Sequence, residues 1–124
     1  MPKILLIEDD LPLLRMYQVV FKNAGYNILS AIDGEEGIKK AREEKPDLIL
    51  LDLVLPKKSG FEVLKELKDD SQFSKIPIIC LSVLHQEEDK EKCKELGAMD
   101  FFVKTDITPD ELVLGVIRRL KTGK

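Results

Sequence analysis

The sequence lacks the features of a membrane, exported or nucleic-acid-binding protein. No apolar run approaches the ~20 residues needed to cross a bilayer. The start, Met1-Pro2-Lys3 followed by a short Ile/Leu run, does not resemble a signal peptide. The 20 Lys and Arg are spread along the chain against 23 Asp and Glu, which leaves a net charge of −3 and no basic stripe. We therefore expect no membrane contact and no direct binding of nucleic acid.

Cysteine and histidine are scarce as well. Cys80 and Cys93 form neither a CxxC pair nor a disulfide framework, which favours a reducing, cytoplasmic setting. Both are interpreted as small apolar core residues. His85 is the only histidine, so no second imidazole is present to hold zinc, and it is interpreted as a loop residue.

What the 124 residues do contain is an alternation of short apolar runs with helical patterns. The strand-like segments are residues 4–7, 27–31, 48–51, 78–81 and 101–103. Five such strands separated by helices predict an α/β domain with a parallel sheet covered by helices on both faces. One domain of this length accounts for the whole chain, residues 1–124.

Several residues predict where the helices begin and end. Pro12 suits a first helical turn, and Gly25 suits the C-cap of that helix. Phe61, Leu64 and Leu67 predict one buried stripe on the third helix. A charged fourth helix is expected over residues 87–97, and Thr108-Pro109-Asp110-Glu111 forms a capping box for the fifth.

Acidic residues follow two of the strand-like segments at the point where each ends. Glu8 and Asp9 close the first segment, and Asp52 closes the third. Ligands of open α/β sheets bind at the carboxyl ends of the strands, so neighbouring strands would bring these acids into one pocket. Converging like charges need an offsetting cation, and Mg²⁺ takes such oxygen ligands. A single acid at the end of a strand is explained equally well as a turn former or a helix N-cap. Asp9 or Asp10 could be the N-cap of the first helix.

Two further polar residues stand at the same predicted edge. Ser82 follows the fourth strand and Lys104 the fifth. Each alone is explained as a turn residue or a solvated charge. Together with a cation and Asp52 they compose a phosphoryl-transfer site, in which Asp52 is the nucleophile, Lys104 neutralises charge and Ser82 hydrogen-bonds a phosphoryl oxygen.

These residues lie in segments that resemble the receiver domain of two-component response regulators, over about residues 3–120. The matching segments are Ile7-Glu8-Asp9, Leu51-Asp52-Leu53-Val54-Leu55-Pro56 with Gly60 behind it, Leu81-Ser82-Val83 and Phe102-Val103-Lys104. The resemblance is to stand-alone, chemotaxis-regulator-like members. It implies a flavodoxin-like, doubly wound five-stranded parallel sheet of order 2-1-3-4-5 with five helices, and a single receiver domain without an output domain.

The resemblance also implies the role of each pocket residue. Asp52 matches the phospho-accepting aspartate, Asp9 the acid that binds Mg²⁺ directly, Glu8 the acid that acts through metal-bound water, and Val54 the residue whose backbone carbonyl completes the metal site. The remaining roles are the switch hydroxyl, the phosphate-pairing lysine and the rotating aromatic, which match Ser82, Lys104 and Phe101. A core aromatic explains Phe101 equally well.

The family's behaviour sets the functional expectation. A histidine kinase or histidine phosphotransfer protein donates the phosphoryl group, the domain catalyses its own phosphorylation, and the face formed by the fourth helix, fifth strand and fifth helix signals to a downstream protein. The expected state is a monomer or a phosphorylation-dependent dimer, acting as a regulator rather than an enzyme. The sparse apolar content of residues 87–97 fits a helix that shifts easily, or a plain solvated helix.

The sequence departs from the family pattern after Lys104, and two other positions bear on how fast phosphate is lost. Thr105 follows Lys104 where the family usually has a cis proline, so either a trans bond with a rearranged loop or a strained cis bond is expected. Val54 and Leu84, at the two positions that steer hydrolytic water, are both apolar and predict slow loss of phosphate.

Three other functions are consistent with parts of the pattern. An aspartyl-nucleophile phosphohydrolase would usually carry a second acid two residues after the nucleophile, where Val54 stands. A flavodoxin-like cofactor carrier would need a phosphate-binding loop where Glu8-Asp9-Asp10 stands. A receiver that no longer takes phosphate should have lost pocket acids, and this sequence keeps them.

Overall fold

The computed structural model describes residues 2–84 and 86–122, in which strands and helices alternate. The strands are β1 (Lys3–Ile7), β2 (Asn27–Ala31), β3 (Leu48–Leu51), β4 (Ile78–Ser82) and β5 (Asp100–Val103). The α-helices are α1 (Leu11–Asn23), α2 (Gly34–Glu44), α3 (Gly60–Asp69), α4 (Glu87–Glu95) and α5 (Pro109–Thr122), and a 3₁₀ turn spans Lys104–Asp106. His85, assigned above to a loop, lies outside the described residues.

The strands form one parallel sheet in the order β2-β1-β3-β4-β5. The predicted doubly wound, flavodoxin-like architecture is therefore confirmed. Every residue of β3 and β4 is buried, because helices cover both faces of the sheet there. This is why these strands are continuous apolar runs rather than alternating ones.

The core consists of two layers, one on each side of the sheet. Helices α2, α3 and α4 pack on one face and α1 and α5 on the other. Leu5 and Ile7 of β1 point into the first layer and Ile4 and Leu6 into the second, as the period of two requires. Each fully buried aliphatic side chain contributes about 1.5–3 kcal/mol, so both layers hold the sheet rigidly under its carboxyl edge.

Side chains fix the starts of four helices. The carboxylates of Asp10 and Asp33 accept from the backbone N–H of Leu13 (3.2 Å) and Glu36 (2.8 Å). Ser59 Oγ accepts from Glu62 N at 3.2 Å. The predicted capping box is confirmed, since Thr108 N donates to Glu111 Oε1 (2.9 Å) and Glu111 N to Thr108 Oγ1 (3.1 Å).

Three details differ from the sequence predictions. The C-cap of α1 is Ala24, one residue earlier than predicted, and Gly25 follows it with φ +92°. Helix α4 ends at Glu95 rather than at residue 97, because Gly97 adopts φ +101°. On α3, Leu64 and Leu67 are buried as expected, but Phe61 is half-buried and Val63 takes its place in the core.

Side chains of neighbouring helices cover the open edge of β2 at Ser30. Lys40 Nζ of α2 donates to the Ser30 carbonyl, and Gln18 Nε2 of α1 donates to Ser30 Oγ at 3.3 Å. No helix within the described residues combines the length and apolarity that a membrane crossing requires.

Lys45, the C-cap of α2, provides a test of backbone strain. Its φ is +48°, a left-handed conformation that costs a residue with a Cβ about 1 kcal/mol and glycine almost nothing. We expect Lys45→Gly to raise the free energy of unfolding by about 0.5–1 kcal/mol in urea denaturation. Glu43→Gly, inside α2, is the control and should lower it by about 1 kcal/mol. Equal losses from both variants would contradict strain at Lys45.

Candidate functional site

The carboxyl edge of the sheet gathers the acids that end β1 and β3. Parallel pairing places Ile7 opposite Leu51, and the backbone N–H of Asp52 donates to the Ile7 carbonyl at 3.0 Å. Glu8, Asp9 and Asp52 each offer one carboxylate oxygen, and these oxygens lie within 4.8 Å of one another. Glu8 and Asp52 are buried and Asp9 is exposed, so the cluster opens to solvent on the Asp9 side.

Lys104 supplies the positive charge of the pocket. Its Nζ donates to Asp52 Oδ2 at 3.0 Å and lies against Glu8 Oε1. Burial opposes the charge of this ammonium group, but the contact with Glu8 and the charge of Asp52 outweigh that effect, so the pKa of Lys104 lies above its usual value. The lysine is therefore a fixed, paired cation, not a solvated surface charge.

Glu8 is the least well compensated group in the pocket. Although Lys104 lies beside Glu8 Oε1, that oxygen is buried and accepts no well-formed hydrogen bond from any residue the structure describes. Its other oxygen, Oε2, accepts from Asp10 N at 3.2 Å. Burial raises the pKa of Glu8 to about 7, and the neighbouring Asp52 charge adds to the effect.

Asp52 is held from two sides. Its Oδ1 accepts from the backbone N–H of Val54 at 3.1 Å, and its Oδ2 pairs with Lys104. Behind it, a Cβ at Gly60 would collide with the backbone of Asp52 and Leu53, so only glycine lets α3 begin this close to the strand end. The Gly60 N–H donates to the Leu53 carbonyl at 2.9 Å, which closes the loop after β3.

Ser82 and Phe101 lie at and beside this edge. Ser82 is fully buried at the end of β4, and its Oγ accepts from Leu84 N at 3.3 Å. Phe101, on β5, is half-buried against the core layer of α2, α3 and α4, which agrees with the core interpretation. Its ring also borders two surface cavities, one toward α5 and one toward α4.

The segment after Lys104 settles the question raised by Thr105. No peptide bond among residues 2–84 and 86–122 is cis, so Lys104–Thr105 is trans, the first of the two alternatives. The chain turns away from β5 in the 3₁₀ turn Lys104–Asp106, and Lys104 still reaches Asp52.

Two features of the pocket were absent from the sequence prediction. The first is Tyr17, which lies in the core below the pocket. Burial raises the pKa of its phenol, and the charges of Lys104, Glu8 and Asp52 also act on it. Its place on the buried stripe of α1 predicted only a core residue. The second is the Lys104–Glu8 pair, which joins residues at opposite ends of the chain and has no local sequence signal.

The donor set fits a hard divalent cation. Mg²⁺ binds oxygen ligands at about 2.0–2.1 Å, so neighbouring carboxylates can share one ion, and the Glu8, Asp9 and Asp52 oxygens lie within 4.8 Å of one another. Glu8 Oε1 is a second indication of a cation site, because a buried carboxylate oxygen that accepts no well-formed hydrogen bond among the described residues can serve as a metal ligand. The exposed Asp9 provides a route of entry from solvent.

Comparison with known proteins gives a consistent result. A family model described as the response regulator receiver domain matches residues 4–116. The chain is 41% identical over 120 residues to the alkaline phosphatase synthesis transcriptional regulatory protein PhoP of Bacillus subtilis, covering 94% of this chain and 49% of PhoP. It is 32% identical over 123 residues to protein PilH of Pseudomonas aeruginosa, covering 99% of this chain and 100% of PilH.

The chain thus spans about half the length of the first curated relatives that it matches, and all of PilH. Among solved structures, the Mn²⁺-bound form of response regulator Rcp1 is similar with a TM-score of 0.83 at 32% identity, covering 94% of this chain and 91% of that one.

The pKa of Glu8 predicts a pH dependence of stability. Because the folded pKa, about 7, lies above the usual 4.5, the folded state binds the proton more tightly than the unfolded state. Protonated Glu8 therefore stabilises the fold fully below pH 4.5, and this contribution is lost as the pH rises to 7. In chelator, the free energy of unfolding of the wild type relative to Glu8→Gln should fall over this range.

The measurement is chemical denaturation of both proteins at a series of pH values. Glu43→Gln, which removes an exposed carboxylate from α2, is the matched control. A difference between wild type and Glu8→Gln that stays constant across the range would contradict burial as the cause.

Proposed function

Because the chain belongs to the family of response regulator receiver domains, the phosphoryl-accepting modules of two-component signalling, we propose that Asp52 is its phosphoryl acceptor. The observation that carries the proposal is the burial of Asp52 at the carboxyl edge of the sheet, with the Lys104 ammonium 3.0 Å from one of its oxygens. The donor we propose is the phosphohistidine of a sensor histidine kinase or histidine phosphotransfer protein.

In the proposed reaction, a carboxylate oxygen of Asp52 forms a bond to phosphorus as the bond from phosphorus to the donor imidazole nitrogen breaks. The imidazole leaves with the electron pair. The Val54 N–H holds one Asp52 oxygen in position, which limits the motion of the nucleophile. Lys104 lies where its ammonium group can neutralise charge on the transferring phosphoryl oxygens.

We propose Mg²⁺ as the cation of this site, held by Glu8, Asp9, Asp52 and the backbone carbonyl of Val54. When bound, it would supply Lewis-acid stabilisation of the phosphoryl oxygens. The carboxylate of Glu8 would then serve the cation instead of Lys104, which frees the lysine for the phosphoryl group. The raised pKa of Glu8 supports this role, since a group costly to ionise alone gains most from a nearby dication.

We further propose that Ser82 and Phe101 transmit the phosphorylated state. The Ser82 hydroxyl accepts a long hydrogen bond from Leu84 N (3.3 Å), and its own O–H could donate to a phosphoryl oxygen. The cavities beside Phe101 offer space for its ring to turn. The surface formed by α4, β5 and α5 would then change conformation and bind a downstream protein.

The remaining parts of the proposal concern context. We propose that residues 1–124 form one receiver domain, that it acts in the cytoplasm, and that it is a monomer that phosphorylation can convert to a dimer. We propose a regulator that catalyses its own phosphorylation and turns over slowly. Val54, two residues after Asp52, is 53% exposed and apolar, so no acid stands at the position from which a phosphohydrolase would activate water.

The acceptor assignment is tested with a small phosphodonor. Incubation with acetyl phosphate and Mg²⁺ should add about 80 Da to the wild type and nothing to Asp52→Asn. Chelation should abolish the gain, and Asp9→Asn should raise the Mg²⁺ concentration needed by at least about tenfold, because one charged ligand is lost. Labelling of Asp52→Asn would move the acceptor to another residue.

Slow turnover is tested through the side chain of Val54. We expect phosphorylated wild type to persist for minutes or longer, and Val54→Asn to shorten its lifetime by about tenfold, because an amide can position water for attack. Val19→Asn is the matched control, since Val19 is similarly exposed (57%) but lies on α1 outside the pocket. Loss of phosphate from the wild type within seconds would contradict the proposal.

A further inference from the structure

Two cysteines that have no part in the phosphoryl site contact each other in the core. Cys80 lies on β4 and Cys93 on α4, and their exposed fractions are 0% and 1%. Both belong to the core layer under α2, α3 and α4, and their side chains are close enough to interact. Both are free thiols. Direct contact between thiols on two different elements is the arrangement from which a disulfide can close.

The two thiols are not equivalent. The hydrogen bond to Cys93 raises the pKa of Cys80, and the same bond lowers the pKa of Cys93. Cys93 also borders a cavity of about 250 Å³ between α4 and β5, whose lining includes Lys90, Lys94 and Phe101. Cys93 therefore has space beside it for a small oxidant, while Cys80 lies behind it in the sheet.

Helix α4 depends on Cys93 for its attachment to the sheet. Cys93 is its buried residue, and no side chain among the described residues caps its N-terminus at Gln86. A second contact of α4 joins it to α3, since the Lys92 ammonium lies 4.4 Å from the centre of the Phe61 ring. A helix held by so few apolar contacts should open locally at a low free energy, and opening admits reagents to Cys93.

We propose that Cys80 and Cys93 are an oxidisable dithiol, which a peroxide converts to a disulfide that pins α4 to β4. The Cys93 thiolate attacks one peroxide oxygen, the O–O bond breaks, and the departing hydroxide takes a proton to become water. The Cys80 sulfur then attacks the sulfenic sulfur of Cys93, the S–S bond forms and the S–O bond breaks. A second water leaves with the Cys80 proton, so two thiols and one peroxide give one disulfide and two waters.

The disulfide has a regulatory consequence that rests on the proposed function. Cys80 lies two residues before Ser82 on β4, and α4 is part of the proposed signalling surface. A covalent tie between β4 and α4 removes the open conformations of α4. Phosphorylation of the oxidised protein would therefore not move α4. Peroxide would prevent signalling to the downstream protein without altering the phosphoryl site.

The experiment treats the purified protein with hydrogen peroxide, in chelator and without phosphodonor, and then compares it with the same sample re-reduced by dithiothreitol. Peptide mapping by mass spectrometry should find one peptide pair joined through Cys80 and Cys93 with a loss of about 2 Da. Mapping is needed because the exposed Met16 and Met99 also take up oxygen. Amide hydrogen exchange over residues 87–95 should slow by at least about tenfold on oxidation and recover on reduction.

Cys80→Ala and Cys93→Ala are the matched controls, because neither can close the bond and neither should show the slower exchange. Asp52→Asn should behave as the wild type does, so failure of the acceptor assignment and failure of the dithiol proposal are distinguishable. Sulfinic acid at Cys93 without a cross-link, a disulfide between two chains, or a cross-link that leaves exchange in α4 unchanged would each overturn the proposal.

Discussion

The structure depends on compensation of negative charge at one edge of the sheet. Parallel pairing of β1 with β3 forces Glu8, Asp9 and Asp52 together, and two of these carboxylates are buried. Lys104 pairs with Asp52 and lies against Glu8, but one Glu8 oxygen still lacks a well-formed hydrogen bond among the described residues. The pairing with Lys104 is thus sufficient for the chain to fold with these acids together, while a Glu8 oxygen can still take a further ligand. A pocket for a cation and a phosphoryl group requires both properties.

Much of the fold could be predicted from the sequence because its strands are buried on both faces. Such strands are continuous apolar runs, and the predicted β3, residues 48–51, has the bounds found in the structure. The convergence of Glu8, Asp9 and Asp52 also followed from sequence, since strand ends in a parallel sheet share one edge. The capping box at Thr108 was predictable because its hydrogen bonds join residues three apart.

Features that depend on distant contacts could not be predicted in this way. Phe61 is half-buried and contacts Lys92 of α4, which lies over its ring, and the helical period of α3 alone does not predict this contact. The pairing of Lys104 with Glu8, and the contact of Cys80 with Cys93, join separate elements whose spacing only the folded chain determines.

The side chains that cover β2 limit how this protein can associate. An exposed outer strand offers carbonyl and amide groups with which another sheet can pair, a common route to aggregation. Here Lys40 occupies the outward carbonyl of Ser30 with a charged group, and Gln18 crosses over the same residue. Adding a strand at this border would mean displacing a lysine from its acceptor. Association through the helical surfaces would leave this lysine in place and would not extend the sheet.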